Sequence, residues 1–286
     1  MLGVLLVLTF VAVGIASAPH LTFTFSDVHT TKTATETDSY AVNNSGVIAG
    51  DYIDSAGVQH AFTLAGKKLT TVNNKKCSSS IAFYGINSAN AAAGWCVGTS
   101  GEDIAFTWAK GKFTTIAFPK ALQTQATGIN DKNDVTGLYF DSGSVQHGFV
   151  KKGSKYTTID IKGDTSTDAY GINNAGVITV YAFNSAGDYV SYLYNGKTFK
   201  AISDPNAGTL GTVAHAPNNK GDVAGTYFDS NSAAVGFLLH GGKYYDLKDP
   251  KASNSTRADG LNDKLEIVGR YTPSTGGNIG FKATTK

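Results

Sequence analysis

Six positions carry side chains suited to acid–base chemistry or to hydrogen-bonding a polyol: Tyr40, Tyr84, Thr127, Tyr170, His215 and Asp259. Each stands three residues before an asparagine. Those asparagines (Asn43, Asn87, Asn130, Asn173, Asn218 and Asn262) recur at intervals of 44, 43, 43, 45 and 44 residues. Five residues before the same asparagines come Asp38, Ala82, Gln125, Asp168, Val213 and Arg257. Phenol, imidazole, carboxylate and guanidinium groups drawn from separate copies make the convergent polar site where a small ligand or sugar is expected. Tyr40, Tyr84, Tyr170, His215, Asp259 and Arg257 are therefore the candidate ligand-binding residues. The bland alternative is that they satisfy the backbone and one another. His215 and Asp259 occupy equivalent positions in successive copies, so an enzymatic alternative, a hydrolase or lyase, would use them with Tyr170 in acid–base roles.

Other chemistry is thinly represented. The chain has no G-x-S-x-G elbow, H-E-x-x-H, phosphate loop or dinucleotide fingerprint. His60 and His147 invite a metal reading, because imidazole is a common ligand. They belong to the first and third copies, which are not neighbours, and apolar residues fill the slot elsewhere, so they read as structural. Asp131-Lys132-Asn133-Asp134 lacks the Gly and distal Glu of a calcium loop. No metal or cofactor is required by any pattern. With 24 Lys+Arg against 22 Asp+Glu there is no basic excess to drive phosphate binding, and nucleic acid is not an expected partner.

The elements that must position these groups are short strands. Glycine occurs 33 times and aromatics make up 11%, a balance that favours strands joined by tight turns. Seven residues after each Asn come Gly50, Gly94, Gly137, Val180, Gly225 and Gly269. Nineteen after come Phe62, Phe106, Phe149, Tyr192, Phe237 and Phe281, expected to form the core between units. The Asn itself suits a turn between the first two strands, since its side chain bonds nearby backbone and tolerates left-handed geometry. Each copy contains four strand-like runs, as in SYAVN, VIAGDYI, VQHAFTL and KLTTV, which matches one blade of a β-propeller. The sixth copy stops after three runs, whereas residues 21–28 precede the first copy and alternate like an unpaired strand. The expected fold is all-β: a six-bladed propeller of four-stranded antiparallel blades over residues 20–286, its ring closed by the N-terminal strand in the C-terminal blade.

The motifs GIN-x-x-G, G-x-Y, His60-Ala61-Phe62, His147-Gly148-Phe149 and TTID with Pro-x-Ala resemble those of the HAF repeat, a family of extracellular bacterial repeat proteins. The resemblance covers residues 20–286 and implies an extracellular repeat domain, with no general activity to transfer. Four copies depart from it, carrying Ile104, Val190, Val235 and Ile279 in place of the His.

Residues 1–18 form an uncharged apolar run ending in Ala16-Ser17-Ala18, which suits a secretory signal peptide. Pro19 and the missing basic residues leave an uncleaved anchor as the competing reading. Nothing after residue 20 resembles a membrane span. Cys77 and Cys96 fall towards one face of the ring, and in an exported protein they are expected to form a disulfide. Together these readings describe a secreted or cell-surface, non-catalytic binding propeller with a glycan or other extracellular polymer as partner. A structural role in the envelope or matrix is the remaining alternative.

Overall fold

The computed structural model describes residues 21–285, and the apolar segment read as an export signal lies outside them. Among the described residues every regular element is a β-strand, and no helix is long and apolar enough to cross a membrane. Six antiparallel four-stranded blades follow one another around an axis. Blades one to four are separate sheets, while blades five and six join through a single parallel pair, Ala234 with Ser255. Blade one runs Glu36–Val42, Ile48–Ile53, Gln59–Ala65 and Lys68–Val72 from the axis outward. Blades two to five repeat this meander, and blade six repeats its first three strands.

Ring closure follows the expected plan. Phe23–Asp27 pairs antiparallel with Ile279–Thr285, Phe23 opposite Thr285 and Asp27 opposite Phe281, and so supplies the fourth strand of blade six. Pairing across the chain ends leaves no open ladder at the seam.

The blades adhere through apolar side chains. Phe62, Phe106, Phe149, Phe237 and Phe281 are at most 1% exposed, each packed where one blade meets the next. Tyr192 departs from the expected core role, because it is only half-buried. The reason lies across the sheet. In the other five blades the residue opposite the aromatic is glycine, and a Cβ there would collide with a carbonyl oxygen of the first strand. At Gly137 it would lie 1.9 Å from the oxygen of Gln125 and 2.8 Å from the Phe149 ring. Blade four has Val180 instead. Its first strand is irregular over two residues, Tyr170 and Gly171, where the others skip one, and the aromatic has moved outward. The two departures in that copy form one accommodation.

Candidate functional site

The repeating asparagines ring one end of the axis. Each side-chain oxygen accepts a hydrogen bond from the backbone N–H four residues on, as Asn130 does from Asp134 at 2.9 Å. The left-handed residue is not the asparagine, as its turn preference suggested, but the one three positions later: Gly46, Asn90, Asn133, Gly176, Gly221 and Leu265. The amide nitrogen does something local turn chemistry did not reveal. It donates to the carbonyl of the corresponding asparagine in the next blade, from Asn43 to Asn87 at 2.9 Å and onward to Asn262, which returns to Asn43 at 2.9 Å. Six buried amides thus form a closed hydrogen-bonded belt. Asn43 is 4% exposed, with its side-chain amide engaged at both ends.

Immediately before the belt come Val42, Ile86, Ile129, Ile172, Pro217 and Leu261. These six line both of two axial cavities of about 80 Å³ and form an apolar collar between them. The cavity on the belt side is a cup of Asn, Ser and Asp side chains. The other is walled by Tyr40, Tyr84, Thr127, Tyr170, His215 and Asp259.

A shared irregularity aims those six groups at the axis. In every blade the pairing of the first two strands slips at that residue, between Ser39 and Ala41 in blade one and between Ala214 and Ala216 in blade five. A bulged residue escapes the alternation of the strand and is re-aimed. Five of the six candidate binding residues therefore converge. The sixth, Arg257, stands apart from this cavity wall, with its guanidinium 5.5 Å above the Phe228 ring.

The polar groups are strongly coupled. Asp259 is 2% exposed and has both oxygens taken, one 3.2 Å from His215 Nδ1 and the other 3.0 Å from Arg270 Nη1. His215 Nδ1 also faces the Ala258 carbonyl at 3.1 Å, so that nitrogen carries the proton. Burial lowers the His215 pKa, against the pull of Asp259. The neutral imidazole and the braced carboxylate hold the wall together, with each Asp259 oxygen engaged by one partner. Tyr170 packs against His215 with ring centroids 4.8 Å apart and planes tilted by 40°.

Sequence reasoning missed the second-strand ring eight residues after each asparagine: Asp51, Trp95, Leu138, Tyr181, Thr226 and Arg270. Each pairs across the sheet with the residue five before the asparagine, Asp51 with Asp38 and Arg270 with Arg257. The signal was the run of charged and aromatic types directly after the glycine. Here the site acquires its charge. Arg270 lies 5.1 Å over the Tyr40 ring and 3.8 Å from Asp38, whose other oxygen accepts from the Tyr40 hydroxyl at 3.1 Å. Tyr40 packs on Tyr84 at 4.6 Å, and Tyr84 is parallel to Trp95 with centroids 6.1 Å apart. Tyr181 donates to Asp168 at 2.7 Å.

Three carboxylate oxygens in this layer, one each on Asp38, Asp51 and Asp168, are buried without a hydrogen-bond partner among the described residues. Unsatisfied charge in such a place favours the protonated acid. Burial, aided by Asp38, pushes Asp51 up to about 8, and burial pushes Asp168 up to about 6. Asp38 is also raised by burial, with Arg270 opposing. At neutral pH the layer therefore presents an acid O–H on Asp51 beside carboxylate, guanidinium and aromatic faces. Asp38 and Arg270 side chains retain 16% and 19% exposure, so this layer meets solvent.

The remaining candidates are structural. His60 bridges Asp54 at 3.0 Å and Asn73 at 2.8 Å, and His147 bridges Asp141 and Asp160, each tying a turn to the blade's exit. Asp54, Asp141 and Asp229 accept from backbone two and four residues on, which is turn chemistry. Among the described residues no three His, Cys, Asp or Glu side chains converge in a way that could hold a metal ion. Cys77 and Cys96 form a disulfide, with Cα atoms 5.7 Å apart.

The chain matches no family model and no curated protein. Its fold does match solved propellers. One is a mutant of the Aleuria aurantia lectin in complex with Fucalpha1-6GlcNAc, with a TM-score of 0.58 and 11% identity over 88% of this chain and 94% of that one. Another structure, of a fungal lectin with a six-bladed propeller and a fucose recognition mode, has a TM-score of 0.53 and 14% identity over 87% and 93%. TolB from Acinetobacter baumannii matches at 0.57 with 11% identity, over 84% of this chain and 65% of that one. At such identities the likeness establishes a propeller.

Proposed function

We propose that this protein is an extracellular, non-catalytic carbohydrate-binding propeller, akin to the HAF-repeat proteins whose motifs it resembles. The observation that carries the reading is the partly exposed layer of Trp95, Tyr84, Tyr40, Asp38 and Arg270, with the buried Asp51 beneath it. Stacked rings offer a flat apolar face, and the acid, carboxylate and guanidinium beside them offer both donors and acceptors. A sugar has the same two aspects, with C–H faces and a rim of hydroxyls that donate and accept. The inner cavity is too small to enclose a pyranose: about 80 Å³, against roughly 150 Å³ for a cavity that admits benzene. The sugar therefore docks on the outer layer rather than inside the channel. The glycan-bound state of several fold neighbours and a disulfide suited to an oxidising compartment support the reading.

The test is titration of a glycan panel against intrinsic fluorescence, since Trp95 is one of only two tryptophans. Saturable binding that perturbs the emission, and that falls at least tenfold in Trp95→Ala, is expected. Binding unchanged in Trp95→Ala, or no binding across the panel, overturns the proposal.

A further inference from the structure

The charges of this protein are sorted by face. In an antiparallel meander, the turns joining strands one to two and three to four lie at one end of every blade, and the turns joining two to three lie at the other. At the first end, the outer turn carries a lysine in five of six blades: Lys68, Lys112, Lys155, Lys197 and Lys243. The first four of those blades and the fifth present it on the outermost strand or the turn leading to it, and all five side chains are exposed. The lysines ion-paired among the described residues are Lys248, Lys251 and Lys282, and none of the five is among them.

No acid occupies these outer turns. The acids at this end sit near the axis and are engaged, as Asp263 is by Asn219 and Asn44, and Asp222 by Asn218 and His240. Lys132, Lys220 and Lys264 add exposed positive charge to the inner turns. At the opposite end, the two-to-three turns carry Asp54, Glu102, Asp141, Asp188 and Asp229. A near-neutral chain is thus a molecule with one basic face.

We infer that this lysine-rimmed face is a docking surface for an acidic polysaccharide, separate from the sugar site proposed above and independent of it. Spacing favours a long partner. The fourth strand lies three strand spacings, about 14 Å, outside the first, which puts lysines of neighbouring blades roughly 20 Å apart. That exceeds the Debye length of about 8 Å at physiological salt, so the lysines act as separate contact points that only a long polyanion bridges. Nucleic-acid recognition favours arginine. The chain's only two arginines, Arg257 and Arg270, lie at the axial layer instead. A membrane surface calls for apolar anchors beside the basic groups. Four of the exposed large apolar residues, Val58, Leu122, Val145 and Leu210, lie in the turns and connections of the opposite face, and Phe199 is stacked on Tyr194.

Immobilised polygalacturonate tests this directly, with neutral dextran, single-stranded DNA and anionic phospholipid vesicles as comparison arms. Long polygalacturonate should bind at least tenfold more tightly than its trimer, because only the polymer reaches several blades. Affinity should fall roughly 50- to 500-fold between 50 and 200 mM salt if four or five lysines take part. Changing Lys68, Lys112, Lys155, Lys197 and Lys243 to Gln should cost at least tenfold. The same change at Lys75, Lys76, Lys120, Lys162 and Lys248, which alters net charge equally on the opposite face, should cost less than threefold. Trp95→Ala should leave polygalacturonate binding intact, which separates this surface from the sugar site. Equal losses in the two lysine sets, tighter binding of DNA or vesicles than of polygalacturonate, or no retention overturns the inference.

Discussion

Replacing Asp51 by Asn should flatten a pH dependence that this buried carboxyl imposes on stability. Asp51 is 4% exposed, and burial raises its pKa from 3.8 to about 8, with Asp38 adding to the effect. Below its unfolded value both states hold the proton, and Asp51 contributes no slope. Between that value and about 8 the folded state holds a proton that the unfolded chain has released, so stability falls as pH rises, by at most about 1.4 kcal/mol per pH unit. The window from pH 6.5 to 8 lies below the raised value of this group, and the Asp51→Asn comparison separates its slope from that of Asp38, which is also raised by burial. The raised value of about 6 for Asp168 and the lowered values of His215 and Asp263 place their changes at lower pH. Across the window the expected loss is about 1–2 kcal/mol. For a chain of this size that is a fall in Tm of roughly 2–8 °C. Urea unfolding at half-unit pH steps, for the wild type and for Asp51→Asn, measures it. The variant should be flatter across the window and more stable than the wild type at pH 8. A wild type that is level or gains stability from pH 6.5 to 8, or an equal slope in the variant, refutes the reasoning.

The belt, core and cross-link make further predictions. Asn130→Ala removes a donor to the next blade and two backbone acceptances in a buried setting, and should cost about 2–4 kcal/mol by urea midpoint. Phe149→Ala should cost about 3–5 kcal/mol, whereas Tyr192→Ala, at the half-buried equivalent, should cost clearly less in the same assay. Gly137→Ala forces a Cβ onto the Gln125 carbonyl and should lower stability by about 3 kcal/mol, read as a Tm shift. Reducing the Cys77–Cys96 disulfide should cost about 3 kcal/mol, with a lower Tm in reductant and none of that loss in a Cys77→Ser, Cys96→Ser double variant.

The repeat, its six copies and the way the ring closes are legible in the chain, because each depends on residue type at a fixed offset. Phe62 and its equivalents announce a shared core, and residues 21–28 read as the strand that blade six lacks. Convergence of Tyr40, Tyr84, Tyr170, His215 and Asp259 is also readable, since equivalent positions in a ring share one radius. What they do together is not. That Asp259 is consumed by His215 and Arg270 depends on side chains from different blades meeting at the axis, as does the belt in which each asparagine spans to its neighbour 43 to 45 residues away. Arg257 could not be told from Arg270 by offset alone. The bulge aims Asp259, and the cross-strand pairing at that point leaves Arg270 at the carboxylate and Arg257 over Phe228. The charge balance shows the limit most plainly: a sum over the chain gives near neutrality, and only the alternating direction of the strands sends the outer-turn lysines to one face and the two-to-three turn acids to the other.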